Sequence, residues 1–246
     1  MIYAEIRFAP LLHIAKGLTP EEAVQTVNDA TAEGIAQTGV QAGLILCTLR
    51  HFNEEQSMET VSLVNRFKGT HVLAFDIAGD EAGYPIKAHE KAFLFAKENN
   101  IPCTAHAGEA RGAESVWETL QHFHPLRIGH GVRSAEDEKL LDWLKKEHIH
   151  LEICPTSNVQ TNVVDTIKDH PADKIYRHGV SMSLNTDCRT ISDVTLTTEF
   201  ALMTSVFSWQ KEQFLTCTLE AIKHAFCAND VKEKLKEKVL TFYNSL

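Results

Sequence analysis

Short apolar runs alternate with amphipathic segments along the whole chain. The runs are, in order, Ile2–Phe8, Ala42–Leu49, His71–Ala78, Ile101–Ala105, Leu126–Gly129, Ile149–Cys154 and Val180–Leu184. Many of their residues are β-branched or aromatic, which is typical of parallel strands that are buried on both faces. Strands that alternate with helices predict βαβ units and a parallel sheet.

The segments between the runs carry helix start signals. Thr19 is followed by Pro20 and, three residues after Thr19, by Glu22, which together make an N-cap, a first-turn proline and a capping-box glutamate. The segment Ser134-Ala135-Glu136-Asp137 is expected to open a helix in a similar manner. Three helices are predicted to close the chain, at about Ser192–Phe207, Lys211–Ala225 and Asp230–Asn244.

The spacing of the runs fits a β/α barrel better than an open, doubly wound sheet. No glycine-rich fingerprint follows any run, so the sequence gives little support for a dinucleotide-binding sheet. A closed barrel of this type has eight strands, whereas the pattern offers seven runs. We therefore predict a single α/β domain over residues 1–246, a (β/α)8 TIM barrel with seven of its eight strands present.

Composition and charge narrow the class of partner. The chain has 246 residues and a net charge of −9, and it shows no basic stripe, so a nucleic-acid partner is not expected. No apolar run approaches the roughly 18 residues of a membrane helix, and the first residues do not resemble a signal peptide. Six cysteines occur singly, as expected for reduced thiols in a cytoplasmic protein with small-molecule partners.

Polar side chains with catalytic or metal-binding chemistry end nearly every run. They are Arg7, Arg50 with His51, Asp76 with Asp80 and Glu81, His106 with Glu109, His130, Cys154 with Ser157 and Asn158, and Asn185 with Asp187. In a β/α barrel the carboxyl ends of the strands converge on one face, where the following loops build the active site. The pattern therefore predicts one site that draws on many strands, with Arg50 and His51 as a structural pair at its mouth.

Five segments resemble, in order and in spacing, the signature strands of the adenosine deaminase family. Three carry most of the likeness: Thr104–Glu109 (TAHAGE), Arg127–Gly131 (RIGHG) and Ser183–Asp187 (SLNTD). Two more, Phe75–Glu81 and Leu151–Asn158, are similar to further family segments. The likeness runs from the first residues nearly to the last, and it agrees with the barrel that the hydrophobic pattern predicts.

The resemblance implies a zinc-dependent hydrolytic deamination of adenosine or 2′-deoxyadenosine to the inosine form, with release of ammonia. It makes His106 a zinc ligand and Asp187 a second ligand that also touches the attacking water. It makes Glu109 the proton donor to the purine ring nitrogen, and His130 the residue that orients the water and stabilises the hydroxide. Gly79 would offer its backbone N–H to the base.

One part of the family pattern has no counterpart in this chain. Tyr3–Arg7 resembles the family's second strand, so the first strand is missing, and with it a His-x-His that supplies two zinc ligands. The pairs His122 with His124 and His148 with His150 are expected to be surface histidines instead. Weak zinc binding is expected, and the two unpaired barrel edges invite self-association.

A second departure is Cys188, which stands where family members carry a second aspartate that grips the base. A small buried thiol is expected there, with a metal-bound thiolate as the other possibility. Adenine or a modified adenosine is therefore an alternative substrate, and a non-catalytic barrel remnant is an alternative of another class. The small zinc deaminases of cytidine and nucleic-acid bases fit poorly, because Cys103 has no second cysteine at the required spacing.

Overall fold

The computed structural model describes residues 1–245, and its strands are all parallel to their neighbours. They are β1 (Tyr3–Phe8), β2 (Gln41–Leu49), β3 (Val72–Ala78), β4 (Thr104–Ala107), β5 (Arg127–His130), β6 (His150–Ile153) and β7 (Met182–Leu184). The order is β1-β2-β3 in one sheet and β4-β5-β6-β7 in the other. A bridge between Phe75 and Cys103 links the two sheets, so the strands follow one another in chain order.

The observed strands lie within a few residues of the apolar runs, and β4 differs most. It begins at Thr104, whereas the sequence predicts a strand from Ile101. Pro102 has no N–H to donate to a ladder, although its carbonyl accepts a hydrogen bond from the Phe75 N–H at 3.0 Å. The strand also ends later than predicted, at Ala107 instead of Ala105, and this places His106 inside it.

Helices connect the strands and close the chain. Their bounds are α1 (Pro20–Thr38), α2 (Glu54–Arg66), α3 (Glu90–Glu98), α4 (Ala113–Phe123), α5 (Glu138–Lys146), α6 (Pro155–Gln160), α7 (Ala172–His178), α8 (Arg189–Ser192), α9 (Leu196–Phe207), α10 (Lys211–His224) and α11 (Asn229–Asn244). The capping box of Thr19 and Glu22 is confirmed at the start of α1.

The predicted helix start at Ser134 is wrong. Residues Val132–Glu136 form a 3-10 turn, and α5 begins at Glu138 with Asp137 as its N-cap. The Asp137 carboxylate accepts a hydrogen bond from the Lys139 N–H at 2.9 Å. Asp137 takes the extended backbone conformation that an N-cap needs, and its side chain can therefore reach the first free N–H groups of the helix.

The hydrophobic core has two large clusters. One packs α1 to α3 against β2 and β3, and includes Leu44, Phe75 and Phe93. The other packs α4, α5, α7, α9 and α10 against β5, β6 and β7, and includes Leu151 and Trp209. Strand β4 lies between them, since Ala105 belongs to the first cluster and Ala107 to the second.

Strand β1 is less buried than a parallel strand between two neighbours. Within residues 1–245 its recorded pairing is with β2 alone, and Ile6 is 50% exposed. The expectation of strands buried on both faces therefore fails for β1, none of whose residues is fully buried. Across the described part of the chain, no helix combines the length and the hydrophobicity that crossing a membrane requires.

Two burial predictions are wrong. His122, His124 and His148 are exposed as expected, but His150 is buried, because it is the first residue of β6 and packs inside the strand array. Its ring nitrogens contact the hydroxyls of two serines on the β7 side of the array. Cys188 is exposed, since it lies in the turn after β7.

Candidate active site

The fold brings the predicted site residues to one edge of the parallel array. His106 lies in β4, and His130 is the last residue of β5. Gly79 directly follows β3, Glu109 follows β4 by two residues, and Asp187 follows β7 by three. Because the neighbouring strands are parallel, these carboxyl ends face the same way.

His106 is held against its strand neighbours. It pairs in register with Gly129 of β5, and a Cβ on Gly129 would lie only 3.0 Å from the His106 ring. The ring Nδ1 lies 3.0 Å from the Ile77 carbonyl oxygen and 3.2 Å from a carboxylate oxygen of Asp76. Burial, the largest effect, disfavours the charged ring, but the charge and hydrogen bond of Asp76 together with the charge of Glu152 outweigh it, so the pKa of His106 is raised. Because Gly129 has no Cβ, it leaves the space that the imidazole of His106 occupies.

Arg7 reaches the same imidazole from β1. Its Nη1 lies 3.2 Å from Nδ1 and 3.0 Å from Nε2 of His106, and it donates to Asp76 at 3.0 Å. Its Nη2 donates to Glu152 at 2.5 Å. Arg7 thus links three strands through charge-assisted hydrogen bonds, which are the stronger kind. The sequence marks Arg7 only as a strand-end residue, and its contact with His106 follows from the fold.

Arg50 supports His106 from the other side. Its guanidinium is buried and donates from Nη2 to the His106 carbonyl oxygen at 2.8 Å. Burial, the largest effect, lowers the pKa of Arg50. The structural role expected of Arg50 is therefore supported, whereas its predicted companion His51 is exposed.

Glu109 and His130 face one another at the mouth of the site. Their closest side-chain atoms, Oε2 of Glu109 and Nε2 of His130, are 3.6 Å apart. The other carboxylate oxygen of Glu109 accepts a hydrogen bond from the Thr161 hydroxyl at 3.1 Å. Burial lowers the pKa of His130, and the nearby charge of Glu109 offsets this only in part. The pair combines a partly exposed carboxyl group with a buried imidazole.

Asp187 stands at the open side of the site. Its Oδ2 accepts a hydrogen bond from the Ser157 hydroxyl at 2.7 Å. The residue as a whole is exposed, although partial enclosure of its carboxylate would by itself raise its pKa. The Ser157 hydrogen bond and the positive charges of the site, which come from the His130 and His106 imidazoles and from Arg7, together outweigh that effect, so the pKa of Asp187 is lowered.

The backbone is strained at two of these residues. His130 has a φ of +60° and Asp187 a φ of +53°. The other non-glycine residues with positive φ, which are Asn100, His124, His148, Asn162, Asp193 and Ser208, all lie at or just beyond the end of a helix. Left-handed backbone at a non-glycine residue costs of order 1–3 kcal/mol and occurs often at functional sites. Gly79, with a φ of +95°, adopts such a conformation without a Cβ.

Glu81 organises the loop that carries Glu109. Its buried carboxylate accepts hydrogen bonds from four consecutive backbone N–H groups, Gly108 to Arg111, at 2.6–3.0 Å. The Ser115 hydroxyl makes a fifth bond at 2.5 Å. Burial alone would raise the pKa of Glu81, but Ser115 and the backbone donors lower it. The sequence identifies Glu81 as a strand-end residue without indicating this function.

The donor types at the site suit zinc, although their number is incomplete. His106 offers an imidazole nitrogen and Asp187 a carboxylate oxygen, which are both zinc ligands, whereas a catalytic zinc takes three protein ligands. Within residues 1–245, the grouping of three potential ligands that lie close enough is His150, Glu220 and His224, and it includes neither of them. His150 begins β6, so this grouping lies at the opposite end of the strands. The residues present therefore fit part of a zinc site.

Comparison with known proteins identifies the family. The family model described as adenosine deaminase matches residues 1–242. This chain belongs to the adenosine deaminase family. The predicted resemblance is thereby confirmed, and the chain is a hydrolase-type enzyme of the deaminase class. An adenosine deaminase of Clostridium acetobutylicum is 36% identical over 237 residues, which cover 96% of this chain and 71% of that protein.

Solved structures show the same architecture. An adenine deaminase from Arthrobacter aurescens has a TM-score of 0.92 and 27% identity, and the match covers 99% of this chain and 74% of that one. An amidohydrolase from Burkholderia ambifaria, solved with bound zinc, has a TM-score of 0.92 and 21% identity over 99% of this chain and 68% of that one. The predicted α/β fold with parallel strands is therefore confirmed, because these solved structures share it.

Proposed function

We propose that this chain belongs to a zinc-dependent enzyme that deaminates adenosine or 2′-deoxyadenosine. One water adds to the carbon that bears the amino group, ammonia leaves, and inosine or 2′-deoxyinosine is the product. The observation that carries the proposal is the opposed pair of Glu109 and His130, 3.6 Å apart at the strand ends, beside the carboxylate of Asp187. A proton donor, an imidazole and a carboxylate at one mouth are the groups that this reaction needs.

Each side chain has one task in this proposal. Glu109 donates a proton to the purine ring nitrogen, which makes the neighbouring carbon electrophilic. His130 holds the oxygen that attacks this carbon, and the N–H of Gly79 binds the base. Asp187, whose lowered pKa keeps it charged near neutral pH, accepts a hydrogen bond from the attacking water. His106 and Asp187 would hold the zinc, which when bound acidifies water.

We further propose that the strand array is most of a (β/α)8 barrel whose first strand lies outside this chain. The chain matches 74% of the length of the Arthrobacter neighbour, and within residues 1–245 no recorded pairing joins β7 to β1. The uncovered edges of β1 and β7 are where a second copy would pair in self-association. Four buried, unpaired cysteines support a reduced, cytoplasmic setting.

Adenine or a modified adenosine is the second candidate substrate. Cys188 is exposed directly after Asp187, so a thiol rather than a carboxylate meets whatever binds there. A thiol is a weaker hydrogen-bond partner, and one similar structure is described as an adenine deaminase. An assay of substrate loss should therefore compare adenosine, 2′-deoxyadenosine, adenine and N6-methyladenosine.

The test is an ultraviolet assay of substrate loss on the purified chain, with and without added zinc. We expect only slow, zinc-dependent loss of adenosine, because the chain holds part of the zinc site, and a further reduction of at least about 100-fold in Glu109→Gln, because the proton donor is gone. The matched control Glu55→Gln changes an exposed glutamate on α2 and should leave the rate unchanged. No turnover of any substrate with zinc present would refute the proposal for this chain and favour the barrel remnant.

A further inference from the structure

A line of buried hydrogen bonds leads away from His130 to the start of α7. The His130 Nδ1 lies 3.0 Å from the side-chain nitrogen of Asn158, and the side-chain oxygen of Asn158 lies 3.2 Å from Nε2 of His170. Nδ1 of His170 in turn lies 3.1 Å from the backbone nitrogen of Ala172. The side chains of Asn158 and His170 are buried, so these contacts are protected from water.

The direction of these hydrogen bonds is fixed at the Ala172 end. A backbone N–H can only donate, so Nδ1 of His170 accepts and carries no proton. Burial, with a smaller contribution from His130, lowers the pKa of His170 to about 4. His170 is therefore neutral near pH 7, and its single N–H proton lies on Nε2.

The same reasoning passes through Asn158. Because Nε2 of His170 donates, the Asn158 atom that faces it must be the carbonyl oxygen. The amide group of Asn158 then points its N–H toward Nδ1 of His130, which accepts. A neutral His130 must consequently carry its proton on Nε2, the nitrogen that faces Glu109.

We propose that Asn158 and His170 are positioning residues that hold His130 as the Nε2–H tautomer. His130 then presents a hydrogen-bond donor to the pocket and stabilises an oxygen there, rather than taking a proton on Nε2. The opposite tautomer would require Asn158 to turn over, which would set its N–H against the N–H of His170. Moving the proton of His170 to Nδ1 would relieve that clash, but it would set Nδ1–H against the N–H of Ala172. The opposite tautomer of His130 therefore leaves two donors facing each other in either case.

This inference rests on the proposed function for the role of His130, but the tautomer itself does not depend on turnover. If His130 donates to the attacking oxygen, the proton that the water loses must pass elsewhere. Asp187, the charged carboxylate that accepts a hydrogen bond from Ser157 at the same mouth, is then the group that accepts this proton. The inference thus separates the hydrogen-bond donor, His130, from the proton acceptor.

The test is a long-range proton–nitrogen NMR correlation of the intact chain, with the ring nitrogens of His130 and His170 assigned through the backbone. We expect a protonated Nε2 and an unprotonated Nδ1 in both rings near pH 7. Asn158→Asp replaces the amide donor with a carboxylate, which should move the proton of His130 to Nδ1 and leave His170 unchanged. The control Asn162→Asp makes the same substitution at an exposed site and should leave both rings as they are.

Two further outcomes separate the inference from the proposed function. In the deamination assay, Asn158→Asp should lower kcat at least about tenfold, with little change in KM. This loss should be smaller than the loss caused by removing a catalytic group. The expected tautomers without any turnover would overturn the proposed function and leave the inference standing. A native chain with His130 protonated on Nδ1 would overturn the inference, whatever the assay shows, and it requires no variant to fold.

Discussion

Replacing Glu81 by glutamine tests whether one carboxylate organises the Glu109 loop. The carboxylate accepts five hydrogen bonds, four of them from consecutive backbone N–H groups. Hydrogen bonds to a charged group contribute about 1.5–3 kcal/mol each, and neutral ones about 0.5–1.5 kcal/mol. A glutamine oxygen in the position of Oε2 would keep three of the five as neutral bonds.

The other half of the carboxylate becomes an amide NH₂ in this variant. The Ser115 hydroxyl can rotate to accept from it, but the Gly108 N–H meets a second donor and loses its partner. An unsatisfied buried N–H costs about 1–3 kcal/mol. Burying a neutral amide costs several kcal/mol less in desolvation than burying a charged carboxylate, and this offsets part of the loss in the variant. The net loss in the free energy of unfolding should therefore be about 2–4 kcal/mol.

The measurement is urea unfolding followed by circular dichroism, with Asp80→Asn as the control. Asp80 precedes Glu81, is exposed, and accepts one backbone hydrogen bond, from Gly83, so its replacement should cost less than about 1 kcal/mol. The folded pKa of Glu81 lies below its unfolded value of about 4.3. The advantage of the native chain over the glutamine variant is thus complete above that pH and shrinks as the pH falls through the folded pKa.

Amide hydrogen exchange of Gly108 to Arg111 gives a second readout, since these N–H groups should lose protection in the glutamine variant. A variant within about 0.5 kcal/mol of the native chain at pH 7, the range of ordinary surface substitutions, would refute the reasoning. It would mean that the five contacts are replaced by water at little cost, and that the loop is held by its flanking helix instead.

Two further predictions concern packing and pH. Gly129→Ala should lower the free energy of unfolding by about 1–3 kcal/mol through overpacking, and it should displace the His106 ring. Gly34→Ala, in an open helical position, should instead stabilise the chain by about 0.4–1 kcal/mol. Urea unfolding measures both changes, and the NMR shifts of His106 report the displacement of its ring. Burial, with help from nearby cations, lowers the pKa of His150 to about 3, so the unfolded chain gains a proton first as the pH falls below about 6.5. Between pH 7 and pH 5 the chain should lose about 2 kcal/mol of stability through this group. Urea unfolding at several pH values should show that His150→Gln removes this loss and that the control His148→Gln does not. The same dependence of unfolding free energy on pH in both variants would contradict the assignment.

Local signals in the sequence were sufficient for much of the fold. Thr19 and Glu22 lie three residues apart and interact within one helical turn, so their capping box could be predicted without tertiary structure. Ser134 carries a similar signal, but the neighbouring Asp137 competes for the same helix start and is the residue that caps it. A choice between two adjacent caps depends on how the preceding turn packs, which the sequence pattern does not encode.

The site was predictable where a residue type ends a strand and follows a family pattern, as for His106 and Glu109. Contacts between distant segments were not predictable. Arg7 meets His106 across 99 positions, and His170 meets Asn158 from a turn that carries no strand signal. The burial of His150 depends on a side of the array that only the three-dimensional packing defines.

The division of the core has a consequence for how this molecule comes apart. The two large clusters meet at β4, whose Ala105 and Ala107 belong to opposite sides. Each half therefore carries its own apolar interior and can act as a separate cooperative unit. The residues of the candidate site come from both sides, and loss of either half would dismantle it.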